Sequence, residues 1–297
     1  MNAITESLNR VTNNCVEQKD AMTTPVKPVS QTNSLRDDLW TVAAIAVMSA
    51  IVANVAHETI GHGAGLLLAG GRSGIFTTTR LIVVKAVPDP AWRIFDLGGP
   101  AGNLAFAGLA WLGLKLLPAA HVRLKLFCWL LMAFSLFWAF GYLMFSGVMG
   151  RGDWLALLPA HWWPGRALLA IAGLVLYEAT IRICANEFCR ILDCSTEDVR
   201  MRAMRLIWIS WLAGGVIATA GPALDPRGAM EMLNSGALSS FAASYGLLRV
   251  PRRLKSAAIS SATQATAIPR SIRWMVAALV ASIFFVAALG PGIHWQF

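Results

Sequence analysis

Residues 39–70 read LWTVAAIAVMSAIVANVAHETIGHGAGLLLAG, a run of 32 positions in which Glu58 is the only formally charged side chain. About 20 consecutive apolar residues suffice to cross the hydrocarbon core of a bilayer, so this stretch is long enough to span one. Its second half nevertheless holds His57, Glu58 and His62. Ionisable groups at membrane depth are costly and tend to be functional. The stretch therefore points to a membrane-embedded chain that carries its chemistry inside a span.

The rest of the sequence agrees with an integral membrane protein. Of its 297 residues 56% are hydrophobic and 14% charged, with a mean hydropathy of +0.57, too apolar for an ordinary soluble domain. Further apolar runs cover about 96–118, 124–149, 167–183, 206–224 and 272–289. The stretch AMEMLNSGALSSFAASYGLL, 229–248, is apolar but spotted with small and polar residues, so it reads either as a weak span or as a helix packed against others. The expected fold is thus an all-α polytopic membrane protein with six or seven transmembrane helices. A short β-segment is expected between the first two, because FTTTRLIVVKAV, 76–87, is dense in β-branched residues and ends in the breaker PDP. Residues 1–37 are polar, rich in Ser, Thr and Asn, and are expected to form a disordered tail rather than a signal peptide. Residues 38–160 carry the chemistry, and 161–297 supply additional helices.

Tryptophans such as Trp40, Trp92, Trp162 and Trp274 fall near the ends of apolar runs, where the ring sits at headgroup level. The net charge of +9 is spread over the loops without interleaved aromatic residues, which argues for anionic lipid and against nucleic acid. Orientation depends on the 229–248 segment. If it crosses, Arg72, Arg80, Lys85, Arg93, Arg151, Arg166 and Arg227 lie on one side, and the other 18 of the 25 Lys and Arg lie with the N-terminus, in the cytoplasm. If it does not cross, the two sides nearly balance. Cys184, Cys189 and Cys194 recur every five residues, about 140° apart on a helix, which does not suit one tetrahedral metal.

His57 and His62 are five positions apart, so on a regular helix they also diverge by about 140°. The zincin motif H-E-x-x-H keeps its histidines four apart and on one face; H-E-T-I-G-H, 57–62, has one residue more. A π-type bulge absorbs such an insertion, and Gly61 makes the distortion cheap. A second arrangement needs no bulge, since Glu58 and His62 are four apart and can themselves be ligands. Catalytic zinc usually takes three protein ligands and a water. Asp153 in GRGDWLALLP, 150–159, is the best third ligand, because the third span returns the chain to the side where the first ended; Asp96, which can cap its span, and Glu178, which can pair with Arg182, are weaker. His121, His161 and His294 lie at span boundaries and read as interfacial residues.

Taken in order, HETIGH, the β-like segment and GGPAGNLA, 98–105, resemble the site-2 protease family of intramembrane zinc metalloproteases over about residues 45–160. GGPAGNLA looks like that family's G-P-x-x-N motif, and GRGDW stands where the family has its Asp-Gly element. The resemblance implies Zn2+ held by His57, His62 and Asp153, Glu58 as general base, and Asn103 as a donor to the oxyanion or the substrate backbone. It implies a membrane-spanning protein substrate that pairs with the strands near Phe76 to Val87, and a bacterial inner (cell) membrane as the location. It also implies an active face towards the cytoplasm, opposite to the charge count for a crossing 229–248 segment. The alternatives are a non-proteolytic relative, a metal-dependent lipid enzyme, or a metal- or proton-coupled transporter.

Overall fold

Helix α1, Leu39–Val55, starts where Asp38 turns its carboxylate back on the first turn: Oδ1 accepts from the Thr41 amide at 2.8 Å and the Thr41 hydroxyl at 2.7 Å. This N-cap satisfies donors that a helix start otherwise leaves orphaned. Without a glycine or proline to stop it, the helix continues through Ala56–Gly61 as a π-helical turn, and then as α2, His62–Leu68. The computed structural model describes residues 36–85, 87–88, 91–159, 161–192, 199–254 and 267–296. The polar tail expected over 1–37 lies outside these, apart from its last two residues.

Two strands follow, β1, Ser73–Phe76, and β2, Leu81–Val83, paired as an antiparallel hairpin with Phe76 opposite Leu81. A third strand was not foreseen from the sequence. β3, Ile293–Gln296, comes from the far end of the chain and pairs antiparallel with β1, giving the order β2-β1-β3. Trp295 stacks on Phe76 at 5.3 Å across that pairing. The segment reads weakly as a strand because it is short and follows Gly290 and Gly292.

Four long helices complete the frame: α3, Trp92–Leu116; α4, Val122–Met149; α5, Trp163–Leu192; and α6, Val199–Ala220. The 229–248 stretch forms irregular turns, a π-helical run at Met232–Ala242 and a 3-10 run at Ser244–Arg249. Its small and polar residues explain the irregularity, since few large apolar side chains fix one face. Tyr177 pins it, its hydroxyl donating to Ala243 O at 2.8 Å and accepting from Gly246 N at 2.6 Å. α7, Ile272–Phe284, is the last helix and runs on into a π-turn, Phe285–Leu289.

Helix α4 is the centre of the core: Trp129, Phe134 and Phe137 are fully buried, and the Trp129 indole donates to Cys184 O on α5 at 2.9 Å. The outer faces of α5 and α7 expose Leu168, Ile171, Leu174, Val276, Leu279 and Ile283. Contiguous exposed apolar surface of this kind suits lipid. Five helices among the described residues are long and apolar enough to cross a membrane: Leu39–Leu68, Val122–Met149, Trp163–Cys189, Arg200–Leu224 and Ile272–Leu289. That is fewer than the six or seven expected. In α3 the glycines, Pro100 and Asn103 dilute the hydropathy, and the 229–248 region is not one continuous helix.

Contacts define the two ends of the bundle. At one end Asp37 accepts from Arg202 of α6 at 2.7 and 2.6 Å and from Ile268 N at 2.9 Å, while Ser271 N donates to Thr41 Oγ1 at 2.9 Å. The starts of α1, α6 and α7 therefore lie together. At the other end the β1–β2 turn is tied down by Asn54 Nδ2, which donates to Thr78 O at 2.8 Å, and by Arg80, 3.7 Å from both Asp225 and Glu231.

Candidate metal centre

The π-turn does what the longer histidine spacing requires. It adds a residue to one turn, so His57 and His62 come round to the same side with ring centroids 4.9 Å apart. Gly61 permits it by close approach: a Cβ there would stand 2.9 Å from both Ala56 O and Gly99 Cα.

Asp153 arrives from the loop after α4. Helix α4 ends at Gly150 in the left-handed conformation, φ 66° and ψ 32°, and Gly152 has φ 109° and ψ 171°, a region essentially confined to glycine. These two backbone states make the reversal that points Asp153 inward. Three bonds fasten the loop: the Trp154 indole donates to Ala139 O at 2.9 Å, and Arg166 donates to Gly147 O at 3.2 Å and Val148 O at 2.9 Å.

Asp153 Oδ2 lies 3.1 Å from His57 Nε2 and 3.4 Å from His62 Nε2, and one ligand atom from each of the three residues falls within 4.8 Å of the others. Donors bound at about 2.0–2.2 Å to a tetrahedral divalent ion lie roughly 3.3 Å apart, so two edges of the group already have that length. Burial opposes ionisation of Asp153, but the two imidazoles beside it hold its carboxyl well below the usual range. The group can hold a metal ion.

The surroundings fit the same reading. His62 Nδ1 is 2.9 Å from Phe95 O, an acceptor that fixes the proton on Nδ1 and leaves Nε2 as a free lone pair. His57 Nδ1 faces the Asn103 amide, with Nδ2 at 3.1 Å, while Asn103 Oδ1 is buried without a hydrogen-bond partner. Turning the amide over exchanges its two ends. Oδ1 then accepts from Nδ1–H, its orphaned lone pairs are satisfied, and His57 presents Nε2 like its neighbour. Gly99 forms the floor: a Cβ there would stand 2.5 Å from His62 Nε2 and 2.7 Å from His57 Nε2. In sequence, GGPAGNLA draws attention to Asn103 through its likeness to a G-P-x-x-N motif, and nothing in it signals the space at Gly99.

Glu58 lies in the π-turn, half-buried and within electrostatic reach of His57, His62, Asp153 and Glu231. The ligand pair Glu58 and His62 is not the one brought together; the group is His57, His62 and Asp153. Asp96 sits in the second turn of α3, whose N-cap is Ala91, so it does not cap the helix. Glu178 pairs with Arg249, and with Arg253 at 3.5 Å, away from the group. Cys128, Cys184 and Cys189 form no disulfide among the described residues, and Cys15 and Cys194 lie outside these. Compared with known protein families, curated proteins and solved structures, the chain matches none.

Proposed function

We propose that this chain is an intramembrane zinc metallopeptidase of site-2 type, hydrolysing peptide bonds in membrane-spanning protein substrates. The observation that carries the proposal is the π-turn at Ala56–Gly61, which joins two imidazoles and the Asp153 carboxylate beside Glu58 within an apolar helix. His57, His62 and Asp153 would hold the zinc. A bound zinc ion supplies Lewis acidity, polarising a carbonyl and making a water acidic near neutral pH. Glu58, next to His57 in the chain, is the general base that takes the proton of the attacking water and returns it to the departing amine. Asn103 acts as a positioning residue behind His57. β2 is an edge strand of the sheet, so its outward backbone groups are open to an extended peptide.

We read seven passes through the membrane. Glu231 lies at the site end, 2.6 Å from Arg227 and 3.7 Å from Arg80, and Ile268 lies at the opposite end, bonded to Asp37 and Asp38. The chain between them has to traverse the bundle. That traverse supports the unequal charge count, with the N-terminus in the cytoplasm and the site nearer the outer face. This is opposite to the orientation that the family resemblance implies.

The test uses purified full-length protein and its Glu58→Gln variant. The variant should keep bound zinc, lose peptide cleavage by at least ~100-fold, and trap an uncleaved membrane-spanning substrate. Wild-type protein that binds no zinc, or a Glu58→Gln variant that cleaves at the wild-type rate, would remove the proposal.

A further inference from the structure

The chain has three tyrosines, and they differ in what their hydroxyls do. Tyr177 both donates and accepts, as described above, and Tyr245 is 55% exposed. Tyr142 is half-buried on α4, and its hydroxyl has no hydrogen-bond partner among the described residues. It stands beside the candidate metal centre: its ring packs against that of His57 in a T-shaped arrangement, at a centroid distance of 6.2 Å and an interplanar angle of 73°. The other side of the phenol faces the loop that carries the third ligand. Its hydroxyl oxygen lies 2.9 Å from where a Cβ on Gly152 would stand, and Gly152 immediately precedes Asp153. Phe145 stacks on the ring at 5.6 Å and 16°, which holds its plane.

A phenol clamped between two ligand-bearing elements, with its O–H unspent, is a preorganised donor. Such a donor is worth most in a low-dielectric site when aimed at an oxygen that gains charge during reaction. We propose that Tyr142 is a further catalytic residue, donating a hydrogen bond to the carbonyl oxygen of the scissile peptide as that oxygen becomes negative. This rests on the metallopeptidase reading. The phenol keeps its proton throughout, so the step needs no other reactant. It also gives the oxyanion a donor other than Asn103, whose amide is turned to His57.

Full-length protein in detergent is loaded with cobalt(II), whose visible spectrum reports both the ligand set and any added molecule. Acetohydroxamate serves as the probe because it presents an oxyanion at the ion. Wild type, Tyr142→Phe and Tyr245→Phe should bind cobalt with equal affinity. Acetohydroxamate should bind Tyr142→Phe at least ~10-fold more weakly than the other two. Equal affinity for the probe in all three proteins, or no binding of it to cobalt-loaded wild type, overturns the role of Tyr142. Loss of cobalt from Tyr142→Phe overturns it as well, because the phenol would then be a support for the ligands. Wild type that takes no cobalt fails the metal reading itself, a result distinct from the others.

Discussion

At Gly99 the absent side chain leaves space against both imidazoles, and the substitution that fills it tests the proposed metal centre. Gly99→Ala places a methyl against both Nε2 atoms, although alanine favours a helix over glycine by about 1 kcal/mol. The variant should fold, with metal affinity in a chelator competition lower by on the order of 100-fold or more. Wild-type affinity in that variant would show that the ion does not sit over Gly99. Asn103 separates orientation from packing. Asn103→Leu removes the acceptor for His57 Nδ1–H and should weaken metal binding roughly 10–100-fold. Asn103→Asp keeps an acceptor and should bind at least as well as the leucine variant by a clear margin. Equal losses in both would mean that the residue only fills space.

The elements divide into those that hold ligands and those that hold the elements. The π-turn and the Gly150–Asp153 loop belong to the first kind. The cap of α1 belongs to the second, and it is sensitive to pH. Thr41 donates to the Asp38 carboxylate through its hydroxyl and amide; against the opposing effect of burial, and with help from nearby Arg270, these bonds lower its pKa from the ordinary 3.8. A carboxyl lowered on folding contributes stability above its unfolded value and loses it as pH falls through the folded one, so the window opens near pH 4 and runs downward. Asp38 is half-buried at the edge of the bundle, where solvent screens its charge, so the charge itself contributes little, and the cap as a whole about 1 kcal/mol. Amide exchange at Thr41 should therefore quicken as pH falls below 4 relative to the intrinsic rate. Asp38→Asn should cap without that dependence; an unchanged profile in the asparagine variant would assign the effect elsewhere.

For the whole molecule, the seven-pass reading sets which end faces the cytoplasm. Single cysteines introduced into a background lacking the native five at Arg200, beside the start of α6, and at Arg151, beside the metal centre, should differ in labelling by a membrane-impermeant maleimide on intact cells. Arg151→Cys should react and Arg200→Cys should react only after lysis. The reverse pattern would place the site towards the cytoplasm and break the link between the Lys and Arg count and a seven-pass chain.

The long spans were legible in the sequence because a bilayer imposes a length and an apolar composition that a run such as 39–70 either meets or does not. His57, Glu58 and His62 were legible for the same reason, as costly groups in a place that penalises them, and the extra residue in HETIGH called for a bulge, which lies between α1 and α2. Other features were not local properties. Asp153 joins the two histidines only because Gly150 and Gly152 adopt backbone states that turn the chain back after α4. Gly99 matters only because α3 crosses the π-turn there, and β3 only because the last residues meet the first hairpin. The chain by itself determined the membrane and the reactive groups, since both follow from transfer energies of single segments. The packing of segments distant in sequence decided which groups meet and what space lies between them, because distances between side chains on different helices are set by close contact in three dimensions.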